Sequence, residues 1–255
     1  MKKTMSTYNL DAFSESYKDT FFYYKENLIM LNQYIKLMSD AITSNNLKSI
    51  LELGIGHSIV TNALIRLSKE GKLTNVEIIE GSNEIINQFK NKHKVLPASI
   101  SIFHSFFEYY ESEKKFDAIE MSFVLEHVDD PLFILNHFKN SLNHNGKIFI
   151  AVPNAESLHR RIGVAAGILE KIDALSTFDL QLGHKRYFTL SSLLEILREA
   201  DLRVEIVSGL MLKPITTAQM NKLKFSPDII EGMNKVALEF PALSNAIYIR
   251  ASLNN

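Results

Sequence analysis

Three groups of side chains in this sequence have the types and spacing to do chemistry. The first is the stretch Ser49-Ile50-Leu51-Glu52-Leu53-Gly54-Ile55-Gly56-His57-Ser58, with Glu80-Gly81 one strand later. Two alternate glycines after an apolar run let the backbone turn tightly and let a ligand approach it closely. A helix behind such a turn presents unpaired N–H groups. Glu80 stands where an acid can accept both hydroxyls of a ribose. The second group is four histidines on loops: His104, His127, His159 and His184. Imidazole titrates near neutral pH and is the natural base for an alcohol. The third is a pair of basic triplets, His159-Arg160-Arg161 and His184-Lys185-Arg186. Arginine forks read carboxylate or phosphate in a bidentate way.

These residues need a scaffold, and the hydrophobic pattern supplies one. Residues 9–45 read as a helical cover, with Tyr17, Phe21, Leu28, Leu31, Ile35 and Met38 at spacings near three and four. Strands at 50–53, 76–79, 100–103, 116–121 and 147–152 then alternate with helices at 58–69, 83–91 and 132–142. Ser82 and Thr189 suit helix N-caps, and Pro131 suits a first turn. Asn143-His144-Asn145-Gly146 reads as the turn before the fifth strand. A helix is expected at 155–169 and another at 190–200, then a strand at 203–207 and a last one at 246–251. The pattern is that of an α/β protein, a mainly parallel sheet wound on both faces. One domain is expected over 1–255, with a cofactor-binding half at 47–153 and substrate-side insertions at 154–188 and 209–243. Loops at the carboxyl ends of such strands carry the ligand site.

Composition narrows the function. The 255 residues are 46% hydrophobic and 22% charged, with a formal net charge of -1. That balance gives no global pull toward nucleic acid or an anionic membrane. Cysteine is absent, which excludes disulfides and thiolate metal sites. Met1-Lys2-Lys3-Thr4-Met5-Ser6 has no apolar stretch after its lysines, and no run is long enough to span a bilayer. A cytoplasmic protein without nucleic-acid or membrane partners is expected.

The glycine turn discriminates between cofactors. A dinucleotide fingerprint needs a third glycine for its pyrophosphate, but Ser58 occupies the slot two past Gly56. An in-strand acid such as Glu52 suits a cofactor with an ammonium or sulfonium group. Ser105 and Phe106, after the third strand, offer a polar group beside an aromatic face for an adenine. Taken with Phe116-Asp117-Ala118-Ile119, Val124-Leu125-Glu126-His127-Val128 and Asn145-Gly146-Lys147, the chain resembles the class I S-adenosylmethionine-dependent methyltransferases. Glu52-Leu53-Gly54-Ile55-Gly56 resembles that family's Glu/Asp-x-Gly-x-Gly motif. The resemblance covers about residues 47–205. It implies a seven-stranded sheet with an antiparallel last strand, and S-adenosylmethionine as methyl donor. The implied cofactor residues are Glu52, Gly54, Gly56, Glu80 and Gly81, joined by Ser105, Phe106, Ser122 and His127. In ubiquinone-type O-methyltransferases, the Leu-Glu-His segment resembles a metal-assisted site with an acid three residues before the Glu. Phe123 stands there in this chain, so no metal is expected.

The acceptor end is less defined. His127 reads as a base or as a wall beside the donor's methionine part. Gly183-His184-Lys185-Arg186-Tyr187-Phe188-Thr189 resembles a segment that lines the acceptor pocket in several family members. It makes His184 a base, a substrate donor or part of the helix start. His159, Arg160, Arg161, Lys185, Arg186 and Tyr187 form the expected substrate set. The triplets point to an anionic acceptor, such as a phosphorylated or nucleotide-linked sugar, unless they form an ordinary solvated face. Transfer to oxygen is the leading expectation. The alternatives are transfer to an amine, or a non-catalytic or dinucleotide-binding Rossmann protein. The sequence leaves the oligomeric state open.

Overall fold

The computed structural model describes residues 9–254. The stretch Met1–Ser6, read above for a leader, lies outside them. Seven strands form one sheet: β1 (Ser49–Leu53), β2 (Asn75–Glu80), β3 (Ile100–His104), β4 (Phe116–Ser122), β5 (Leu142–Pro153), β6 (Leu202–Leu210) and β7 (Ala246–Leu253). Their order is β3-β2-β1-β4-β5-β7-β6. β1 to β5 pair in parallel, while β7 runs antiparallel between β5 and β6. Among the described residues, nine helices connect and cover them: α1 (Tyr24–Ser44), α2 (Ile59–Lys69), α3 (Asn83–Lys92), α4 (Pro131–Lys139), α5 (Leu158–Ala165), α6 (Thr177–Leu182), α7 (Leu190–Glu199), α8 (Thr217–Leu223) and α9 (Pro227–Glu239). A 3-10 turn, Leu10–Tyr17, precedes α1.

Strand parity divides the core into two faces. Ile50, Val76 and Ile78 pack with Tyr34, Met38 and Leu64 of α1 and α2. Leu51, Leu53 and Ile119 pack on the other face with Phe138, Leu193 and Leu197 of α4 and α7. Each such side chain, when fully buried, contributes about 1.5–3 kcal/mol. The near-continuous apolar runs of β1 and β2 follow from coverage on both sides.

The helix starts use the expected caps. Ser82 Oγ accepts from Ile85 N (3.2 Å), Asp130 Oδ1 accepts from Phe133 N (2.9 Å) ahead of Pro131, and Thr189 Oγ1 accepts from Ser192 N (3.0 Å). Two local expectations need correction. Asn143–Gly146 is no separate turn but belongs to β5, where the register against β4 jumps between Phe116↔Leu142 and Ala118↔Lys147. Asn143 Nδ2 donates to Asp117 Oδ1 (2.8 Å), which holds the irregular stretch in the sheet. The helix expected at 155–169 covers only Leu158–Ala165, since Gly167 turns the chain with φ +69°. Among the described residues, no helix is long and apolar enough to cross a membrane.

Candidate active site

The strand order reverses between β1 and β4, and an open sheet has its ligand crevice at such a point. A cavity of about 790 Å³ lies there. Gly54 and Gly56 after β1, Glu80 at the end of β2, Gly81 after it, and Ser122 at the end of β4 all line it. Gly54 and Gly56 have φ of +87° and +48°, in the left-handed region that glycine tolerates. Ser58 adopts the same region at φ +59°, at a cost glycine would not carry.

Glu80 is fixed by the turn it faces. Its Oε2 accepts from Ile55 N (2.9 Å), and its Oε1 accepts from Ser82 N (2.8 Å). Burial pushes its carboxyl up, and these backbone N–H groups oppose that shift. Ser105, Phe106 and Phe107 line the wall beside it. His104 Nε2 bonds Gly81 O (3.1 Å), and His104 is not part of the lining.

Glu52 takes a different place. It shares the strand face of Ile50, is fully buried and does not line the cavity. Its Oε1 accepts from Thr61 Oγ1 (2.7 Å) of α2. Glu120 is its register partner on β4, and burial pushes both carboxyls up.

The other end of the cavity is built by the stretch between β5 and α7. His184 Nδ1 lies 3.1 Å from Asp179 Oδ1. That carboxylate also accepts from Tyr187 OH (2.9 Å) and from Ser176 N and Oγ. Burial alone would raise the Asp179 carboxyl, but the hydrogen bonds from His184 and Ser176 hold it at about 2. An ionised carboxylate on Nδ1 makes that nitrogen the donor and leaves Nε2 as the basic atom. The His127 ring lies 4.8 Å from the His184 ring, edge to face. Burial, then the neighbouring His184, bring His127 down to about 3. Glu126 is fully buried with neither carboxylate oxygen hydrogen-bonded, and burial pushes it up to about 7. Glu126, His127 and His184 bring one ligand-type atom each within 4.8 Å of one another. The pair that is incomplete as a metal set within its own segment thus gains a third group from a distant loop.

The basic triplets separate. Arg160 is buried on the cavity, its Nε and Nη2 donating to Ile172 O (2.7 Å) and Ala174 O (2.6 Å), its guanidinium 4.2 Å from the Tyr187 ring. His159 also lines the cavity, and burial with the charges of Lys213 and Arg160 brings it down to about 2. Arg161 and Arg186 do not line it. Arg161 Nη2 donates to Glu156 Oε1 (2.6 Å), and Arg186 Nη2 to Asp129 O (3.1 Å). Lys185 lines the cavity and pairs with Asp129 Oδ1 (2.6 Å).

Sequence reasoning missed Asp179, Lys213 and Glu26. Lys213 Nζ, buried on the cavity, donates to Glu26 Oε1 (2.7 Å), and Thr217 Oγ1 donates to Glu26 Oε2. Only Asp179 had a legible signal: Ser176-Thr177-Phe178-Asp179 has capping-box spacing and opens α6, which ends at His184's loop.

The sheet order, with its antiparallel last strand, is that of the class I, S-adenosylmethionine-dependent methyltransferase fold. The family described as a methyltransferase domain matches residues 25–207, and the chain belongs to it. A curated relative, the mitochondrial ubiquinone biosynthesis O-methyltransferase of Candida albicans, is 25% identical over 121 residues. That match takes in 48% of this chain and only 37% of the relative. Among solved structures, the plantazolicin methyltransferase BpumL, bound to a triazolic desmethylPZN analog and SAH, superposes with a TM-score of 0.62. It is 15% identical, with 96% of each chain covered. A putative methyltransferase of Haloferax volcanii, solved with the activator Trm112, gives 0.59 at 13% identity, covering 98% of this chain and 100% of that one. The N-methyltransferase NodS of Bradyrhizobium japonicum, bound to S-adenosyl-l-homocysteine, gives 0.55 at 12%, covering 88% and 87%. At such identities these structures speak to the fold.

Proposed function

We propose that this enzyme moves the methyl group of S-adenosylmethionine to an oxygen of a small, anionic acceptor, with His184 as the base. The observation that carries the reading is the His184–Asp179 pair on the cavity wall. The bound donor supplies a methyl group on a positively charged sulfur. The site has groups that fit it: an acid held by the turn at Glu80, glycines that admit close approach, and aromatic faces at Phe106 and Phe107. Glu80 would hold the ribose, Ser105 and Phe106 the adenine, and the backbone near Gly54 and Ser122 the methionine part. Glu52, behind the turn, would support that part only indirectly, through its hydrogen bond to Thr61 of α2.

His184 Nε2 takes the proton of the acceptor hydroxyl as the oxygen becomes a nucleophile. Asp179 fixes the tautomer and stabilises the imidazolium that forms. His127, kept neutral by burial, forms a wall beside His184 rather than a second base. Arg160 is the buried cation for an acceptor carboxylate or phosphate, with His159 and Tyr187 beside it and Lys213 close by. The sequence triplets suggested phosphorylated or nucleotide-linked sugars, and these are the first acceptors to try. The test is methylation of such a panel by wild type and by His184→Gln. A methyl ether formed by wild type and largely lost in the variant supports the reading; equal rates refute it.

A further inference from the structure

The family resemblance leaves His57 unexplained, and three glycines of the site lie against side chains of one segment. A Cβ on Gly81 would lie 2.5 Å from Leu10 Cδ1. One on Gly183 would lie 3.1 Å from Phe13 Cε1, and one on Gly56 would lie 3.4 Å from Tyr17 Cε1. Gly56 and Gly81 belong to the donor end, and Gly183 directly precedes His184. Every third or fourth residue of Leu10–Tyr17 is therefore seated on a glycine, across both ends of the cavity. Leu10, Phe13 and Tyr17 all line it.

This segment is held at few points. Asp11 Oδ1 accepts from Ser82 Oγ (2.6 Å) and Glu84 N (3.0 Å). Ser16 Oγ donates to Gln181 O (3.0 Å). Tyr17 O bonds His57 Nδ1 (2.9 Å), whose other nitrogen, Nε2, lies 3.0 Å from Asn27 Nδ2 of α1. The Tyr17 carbonyl can only accept, so Nδ1 carries the proton and Nε2 accepts from the amide nitrogen of Asn27. The His57 ring also meets Tyr17 and Tyr24 edge to face, at 5.3 and 5.5 Å. Of residues 10–17 only Ser14 is buried, and no strand pairs with them. A segment with so few ties opens far more cheaply than the sheet beneath it.

We infer that Leu10–Tyr17 is a lid over the methyl-donor pocket, that His57 in the glycine turn is its latch, and that donor and spent cofactor exchange by lifting it. The inference rests on the cofactor and is independent of the acceptor's nature.

A latch and a binding contact differ kinetically. Loosening a latch speeds both uptake and release, whereas losing a contact to the ligand speeds release alone. His57→Ala should raise both rates for labelled S-adenosylhomocysteine by roughly three- to tenfold, the worth of one hydrogen bond. Glu80→Gln should raise only the release rate. The chain has no cysteine, so Asp11→Cys with Ser82→Cys introduces the only thiols. Oxidised with S-adenosylhomocysteine in place, this variant should retain it, and a reductant should free it. Unchanged uptake in His57→Ala, with a thermal melt like wild type, would overturn the latch. Equal release from the cross-linked and reduced double variant would overturn the lid.

Discussion

His184 Nδ1 and Asp179 Oδ1 stand 3.1 Å apart at the two ends of a five-residue step. α6 ends between them at Gly183, whose φ of +80° turns the chain back so that the ring meets its own helix. The same carboxylate accepts from Tyr187 and Ser176, so its direction is fixed by four groups. Asp179→Asn keeps the shape but loses the charge that sets the tautomer. A fall in kcat of roughly a hundredfold or more is expected, within the range of general-base catalysis, with donor affinity unchanged by calorimetry.

Glu80 anchors the donor end through two backbone N–H groups. Glu80→Gln should weaken S-adenosylmethionine binding roughly ten- to hundredfold, since a charge-assisted bond is lost. Calorimetry against NADH should give no binding in either protein.

Arg160 faces the cavity, and Arg186 does not. Arg160→Ala should raise the acceptor KM by about tenfold or more and leave donor affinity nearly alone. Arg186→Ala should leave both near wild type. Equal effects of the two variants would remove the anion-binding role from Arg160. A thermal melt is needed beside the kinetics, because Arg160 also ties Ile172 and Ala174.

Glu52 and Glu120 are buried side by side on β1 and β4, and burial holds both carboxyls above their ordinary range. A raised folded pKa favours the protonated form. Its stabilisation is complete below the unfolded value of about 4.3 and is lost as pH rises through the folded one. The pair should therefore contribute a fall in melting temperature as pH rises from about 5 to about 8, read as the difference between wild type and variant. Glu120→Gln should flatten that slope, and an unchanged slope would assign the loss elsewhere.

Chelation tests the third group beside His184. In the proposed mechanism the imidazole acts alone, so dialysis against EDTA should leave kcat unchanged. Loss of activity restored by a divalent cation would instead put a metal on Glu126, His127 and His184.

The fold was legible because its signals are local. Apolar runs with short connections gave the parallel strands, and Ser82, Pro131 and Thr189 marked helix starts at the right places. The site was legible only where chain position decides geometry. Gly54, Glu80 and Ser122 stand at strand ends and meet at the switch point. Glu52 sits inside its strand, and side chains there alternate between faces, so parity turned it toward α2 rather than the cavity. Asp179, Lys213 and Tyr17 come from segments that carry no sheet period. Their meeting depends on how the stretches after β5 and β6 and the first turns fold back, and nothing in their local spacing encodes that. The basic triplets misled in part for the same reason. On a helix or a loop, neighbours in sequence point apart, so Arg160 turned inward and Arg161 outward.

The most direct test of the account is the product formed from a panel of phosphorylated and nucleotide-linked sugars with methyl-labelled S-adenosylmethionine. Wild type should form a methyl ether, and His184→Gln should form it roughly a hundredfold or more slowly with unaltered donor affinity. A methylamine product, or an ether made equally fast by the variant, would contradict it.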